Sequence, residues 1–331
     1  MSTLQIGLQQ IGILLLLMLA GYGAMKTGVM NKAMQAGIAR LVLNIGIPAM
    51  IIVNVASTFS AANVGRVLAV LAFSTVYHLL FFFGLNAVAP RFFATREKAT
   101  LAASSMTFAN VMFIGVPVIS NILGPDSLIY IVAGSIPFNF LLLTVVPLTL
   151  RRSVRADLAA AAGGATVMAD DGAPKGAAKA KLARVLLSPI NVALVLTLLL
   201  VAFSVKLPAV IEAPLKELGA INTPLSMISI GSVLAERPLG DLFREKDYYI
   251  ISLFRCLIIP LLVFGVLLLL PLDRYVAKVL FLLFAMPAAS INAMVAEAAG
   301  ADFEYTSMAI TQTTILFFPA LILMVRLLDF L

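Results

Sequence analysis

Asn110-Val111-Met112-Phe113-Ile114-Gly115-Val116-Pro117 is the stretch on which the reading of this chain turns. It lies inside an uncharged run, roughly 99–122, and about 20 apolar residues suffice to cross a bilayer as a helix. A second stretch, Ala285-Met286-Pro287-Ala288, sits near the middle of another apolar run, roughly 275–298. A proline inside a helix removes a backbone donor and clashes with the carbonyl four residues earlier, at a cost of about 3 kcal/mol or more. Two prolines at mid-depth, with Gly115 before one and Ala288, Ala289 and Ser290 after the other, predict two broken helices. Each second half would then begin inside the membrane. A helix N-terminus carries about half a positive charge and binds anions, so two such ends converging would form an anion site. Two ordinary proline kinks are the plainer alternative.

Around these stretches the composition is that of a membrane protein. Of 331 residues 62% are apolar and 12% charged, with mean hydropathy +1.07, where soluble domains hold about 45–50% and about 25%. Ten-residue alternating segments, the mark of a β-barrel, are absent, so the fold class is all-α and polytopic. A single cysteine, Cys256, and a single histidine, His78, exclude an intrachain disulfide and a Cys/His zinc site. No cofactor and no metal is expected. No Asp or Glu falls in the middle third of any expected span, which disfavours a cation/proton antiporter. The same poverty of acids and histidines denies an intramembrane enzyme its catalytic groups, and the chain is read as no enzyme. The net charge of +7 reads as cytoplasmic loops and not as a nucleic-acid surface.

Ten spans are expected, at roughly 4–25, 34–58, 66–89, 99–122, 127–150, 185–205, 215–235, 248–270, 275–298 and 305–327. The first lacks a basic leader and a cleavage site and reads as retained. With both termini outside, sixteen Lys and Arg fall on the inner side and six on the outer, Arg255 lying within a span, as the positive-inside rule requires. The long connection 151–184, rich in Ala and Gly, reads as a flexible cytoplasmic tether. It divides residues 1–150 from 185–331, five spans from five. An odd number of spans reverses the second half, which permits an inverted repeat. Pro48 and Pro224 are separated by 176 residues, Pro117 and Pro287 by 170, near-equal offsets that support the repeat.

Polar side chains gather at the same depth. Asn110 and Asn292 flank the expected breaks, and Asn44, Asn139, Asn222, Gln312 and Thr313 sit near span centres. An amide offers two donors and an acceptor, so it can satisfy freed backbone or hold a carboxylate, though it also serves as interhelical glue. Arg40 and Arg255 are expected to snorkel to the cytoplasmic interface, or Arg255 to draw in an anion. Glu297 reads as solvated, His78 as a packed, hydrogen-bonded residue, and Phe81-Phe82-Phe83 as lipid-facing.

These motifs, in this order, resemble the auxin efflux carrier family, which includes the plant PIN transporters and bacterial permeases. The Asn110–Pro117 stretch resembles its fourth helix and Ala285-Met286-Pro287, followed by Ala296, its ninth. Ser226-Met227-Ile228-Ser229-Ile230-Gly231-Ser232 resembles the seventh, and Ser188-Pro189-Ile190-Asn191 the start of the sixth. The resemblance implies ten helices in two inverted repeats, with crossed, broken helices 4 and 9. It implies a scaffold of spans 1, 2, 6 and 7, through which members often dimerise, and a transport domain of spans 3–5 and 8–10. Asn110 would contact a substrate carboxylate, with Pro117 and Pro287 shaping the crossing. Asn292 stands where plant members tend to have a second proline, and the central loop is short. The function expected is a secondary carrier of small organic carboxylates, substrate-binding residues Asn110, Pro117, Pro287, Ser290, Asn292, Asn139, Gln312 and Asn44. An auxin-type indole-carboxylate carrier and a sodium-coupled symporter resembling those for bile acids are the alternatives.

Overall fold

The computed structural model describes residues 3–58, 63–161, 189–203, 205, 207–236 and 241–331. Nearly all of them are helical. Among the described residues six helices are long and apolar enough to cross a membrane: Lys32–Val53, Val64–Arg91, Pro125–Ala161, Ala209–Ala235, Lys246–Leu269 and Phe303–Phe330. The other four expected spans are shorter pieces. The first contributes apolar Ile11–Lys26 to a helix α1 (Thr3–Lys26), and the sixth is α8 (Pro189–Ala202), Ser188 lying outside the described residues. The fourth and ninth are each cut in two.

In chain order after α1, the second span comprises α2 (Lys32–Leu41), a π turn over Val42–Gly46, and α3 (Ile47–Thr58). The third is α4 (Val64–Val88). The fourth is split into α5 (Arg96–Thr107) and α6 (Val116–Leu123), with a π turn over Val111–Gly115 leading into α6. The fifth, α7 (Leu128–Ala161), runs past the expected end at 150. The expected tether therefore begins as helix, and its remainder, 162–184, lies outside the described residues. The seventh is α9 (Ala209–Ala220) and α10 (Asn222–Ala235), interrupted at Ile221. The eighth is α11 (Lys246–Leu253), a π turn over Phe254–Ile258, and α12 (Ile259–Leu269). The ninth is split into α13 (Arg274–Ala285) and α14 (Ile291–Ala299), and α15 (Phe303–Leu327) is the tenth.

Prolines explain the three π turns. Each turn ends two residues before one: Gly46 before Pro48, Gly115 before Pro117, Ile258 before Pro260. In each, the residue preceding the proline donates to the carbonyl five back, Ile47 to Val42, Val116 to Val111 and Ile259 to Phe254. A wider turn moves the carbonyl that the pyrrolidine ring would strike. The helix thus accommodates its proline without ending. Pro117 accordingly lies inside the first turn of α6, and the expected break at Gly115 and Pro117 falls earlier, at Phe108–Asn110.

Packing sorts the helices into two groups. In one, α1 lies along α10, and α3 lies against α8 and α9. The approach of α1 to α10 is closest at Gly21 and Gly231: a Cβ on either would collide with the backbone of Ile228 or Met18. Only glycine permits such contact between helix backbones. In the other group, α7 is the hub, packed on α4, α5 and α14, while α15 joins α11 to α14. The groups meet where α1 touches α6 and α15, and α3 touches α7. One large buried core runs through both. It takes in Phe82, which is fully buried against Phe108, so the expected lipid-facing Phe run is not uniform.

Candidate functional site

The two interruptions meet. Ala109 and Ala288 form an isolated antiparallel bridge, in which the Asn110 N–H donates to the Pro287 carbonyl at 2.7 Å and the Ala289 N–H to the Phe108 carbonyl at 2.9 Å. Two short extended segments thereby satisfy each other's backbone inside the core, as irregular backbone at membrane depth must. The causes of the two breaks differ. Proline forces the residue before it out of the helical region, and Met286, before Pro287, is extended (ψ 152°). In the fourth span the break comes without proline. Phe108 is extended and Asn110 caps the following turn, its Oδ1 accepting from the Phe113 N–H at 3.3 Å.

Asn110 is nearly buried, 6% exposed, and its Nδ2 donates to Ser290 Oγ at 3.3 Å. Ser290 opens α14 and is exposed. Asn110, Pro287 and Ser290 are thus brought together. Gly115 packs close beside them, 3.4 Å from Met286 Cγ for a Cβ built on it. Asn292, half a turn into α14, is buried and accepts from the Ser104 hydroxyl at 3.0 Å, tying α14 to α5. The remaining expected residues stand apart. Gln312 is fully buried, accepting from Ser252 and donating to the Leu242 carbonyl, both at 2.8 Å. Asn44 is exposed on the first π turn, and Asn139 is half-buried on α7 next to exposed Phe140. Asn222, at the start of α10, is buried and lies 3.8 Å from Met50 Sδ. Thr313 does reach the site, its Oγ1 accepting from the Ala288 N–H at 3.3 Å.

Arg255 is the residue that sequence reasoning misplaced. It does not snorkel; it is fully buried. Its Nε donates to the Met286 carbonyl at 2.6 Å and its Nη2 to Phe284 at 2.8 Å, while Nη1 donates to Met106 at 2.8 Å and Thr107 at 3.1 Å. The hydroxyl of Tyr77 accepts a further bond from Nη1 at 3.0 Å. These carbonyls are the C-terminal ends of α13 and α5. Each such end carries about half a negative charge, so one guanidinium balances the pair, and none of its partners is a carboxylate. The opposite ends, at Asn110 and Ser290, keep their positive sense. Behind them Tyr77 stacks on Phe284 (centroids 3.9 Å apart) and His78 on Phe108 (5.4 Å), with His78 Nδ1 2.7 Å from the Ser74 carbonyl. A cavity of about 390 Å³ opens between the two packing groups, lined in part by Met50, Ser120, Asn121, Lys216 and Thr223. The Ser120 hydroxyl in its wall is buried without a hydrogen-bond partner.

A helical chain with several apolar spans and interrupted helices at its centre is a multi-pass membrane protein. A family model described as membrane transport protein matches residues 6–325, and the chain belongs to that family of transporters, the auxin efflux carrier or PIN-like family. A comparison with curated proteins finds no match.

Proposed function

We propose that this transporter is a secondary carrier of small organic carboxylate anions, with the carboxylate bound where the two interruptions meet. The observation that carries this reading is the charge arrangement: Arg255 is spent on the C-terminal ends of α5 and α13. The N-terminal ends at Asn110 and Ser290 are left for an anion. Asn110 presents an amide and Ser290 a hydroxyl at that point, donors suited to a carboxylate. Substrate would move by alternating access, as the group built on α7 shifts against the group built on α1, α3 and α10. In this reading ten spans form two inverted five-span repeats (1–150 and 185–331), and the connection 151–184 is cytoplasmic. The α1–α3 and α8–α10 group is the scaffold and the surface through which two copies pair.

The test is uptake of carboxylates such as malonate, malate and indole acetate into proteoliposomes. Asn110→Ala loses the amide and also a helix cap worth about 1 kcal/mol. It should insert and purify yet transport at least about tenfold more slowly, the equivalent of about 1.4 kcal/mol in the barrier. Normal transport by that variant would remove the site from this place.

A further inference from the structure

A second cavity, about 310 Å³, lies away from the interruptions, at the end of the bundle where α4 stops and α5 begins. Asn86, Pro90, Arg96, Thr100 and Ser153 line it. Its polar groups are already ordered: the Thr100 hydroxyl donates to Asn86 Oδ1 at 3.0 Å and lies 2.7 Å from Ser153 Oγ. Arg96 is exposed, and so are Arg91 and Arg152, each next in sequence to a lining residue. Two acids lie nearby, and neither forms a salt bridge with Arg96. Asp157 accepts from the backbone N–H groups of Arg96 and Glu97, at 3.1 and 2.8 Å, and Glu97 accepts from the Asp302 N–H at 2.8 Å. Arg96 therefore lines a cleft of hydroxyls and an amide, and its side chain forms no ion pair among the described residues. A guanidinium fork matches phosphate oxygens.

Depth and surroundings identify the source of the phosphate. Ser153 lies 25 residues along α7 from Leu128, about 38 Å at 1.5 Å per residue, beyond a hydrocarbon core of about 30 Å. The cleft is then level with lipid headgroups. Val88 and Phe92, on either side of Pro90 in the sequence, are exposed apolar side chains, a surface that suits acyl chains. Basic clefts between membrane helices at this level bind anionic headgroups.

We propose that this cleft seats the phosphate of an anionic phospholipid, gripped by Arg96 and hydrogen-bonded by Ser153 and Asn86. The lipid clamps α4, α5 and α7 together, and α5 leads into one of the two interruptions. The test is thermal melting of the purified full chain in detergent with dioctanoyl-phosphatidylglycerol, dioctanoyl-phosphatidylcholine or inorganic phosphate. A ligand bound only to the native state raises the melting temperature. The phosphatidylglycerol should do so saturably and the other two should not. Arg96→Gln, an exposed position, should melt like the parent without lipid and need at least about tenfold more phosphatidylglycerol. Arg274→Gln, at the opposite end, should leave the response unchanged. An equal shift with phosphatidylcholine or with inorganic phosphate would overturn the lipid assignment, and an unaltered response in Arg96→Gln would overturn the site.

Discussion

Arg255 concentrates more of this molecule's electrostatics than any other side chain described. A guanidinium without a carboxylate partner would ordinarily be too costly to bury. Here it meets four carbonyls and a tyrosine hydroxyl. Replacing it with alanine leaves the carbonyls of Met106, Thr107, Phe284 and Met286 without this donor. At about 1–3 kcal/mol for a buried group left unsatisfied, Arg255→Ala should lower stability by at least about 3 kcal/mol, read as a fall in melting temperature. Arg255→Lys keeps the charge but loses the fork and should recover only part of that. Sequence placed this residue within reach of the interface, and a snorkelling arginine was the natural expectation. What the sequence could not convey is that two helix C-termini end beside it and supply the negative charge. Asn110 was read as an amide flanking a break, able to satisfy freed backbone, and it does cap the turn that follows. Gln312 and Asn292 were read as amides at the same depth and turned out to tie helices together, a distinction set by which neighbours they meet.

Helices were legible as elements, their interiors less so. Apolar runs located the six long apolar helices among the described residues, while the way each absorbs its proline depends on packing. Pro48, Pro117 and Pro260 are taken up by π turns, whereas Pro287 coincides with a true break. At the break, the freed carbonyls of Met286 and Pro287 have Arg255 and the Asn110 N–H to bond with. The close approach of α1 and α10 is another element-level feature with a measurable consequence. Gly231→Ala would drive a methyl into the Met18 backbone, and overpacking of this kind costs about 1–3 kcal/mol. A lowered melting temperature is expected, and an unchanged one would mean that the helices part without cost. Asp157→Ala should be milder, near about 1 kcal/mol, since it removes a cap from α5 that Thr95 continues to provide.

Taken together, the two packing groups are joined by a thin set of contacts, and the lone cysteine reports on the centre of the group built on α7. Cys256 is buried beside Arg255, its thiol 3.4 Å from the Thr313 carbonyl. A maleimide should label it slowly in the folded protein and rapidly once detergent denatures the chain, a ready assay for every variant above. The fastening by Arg255 carries a further implication. The arginine belongs to the C-terminal portion of the polypeptide and two of its carbonyl acceptors to the N-terminal portion, so neither portion completes its own interior. If the gene were cut within 162–188 and the fragments produced separately, each should be cleared by proteases. Produced in one cell, they should find each other and restore uptake by complementation.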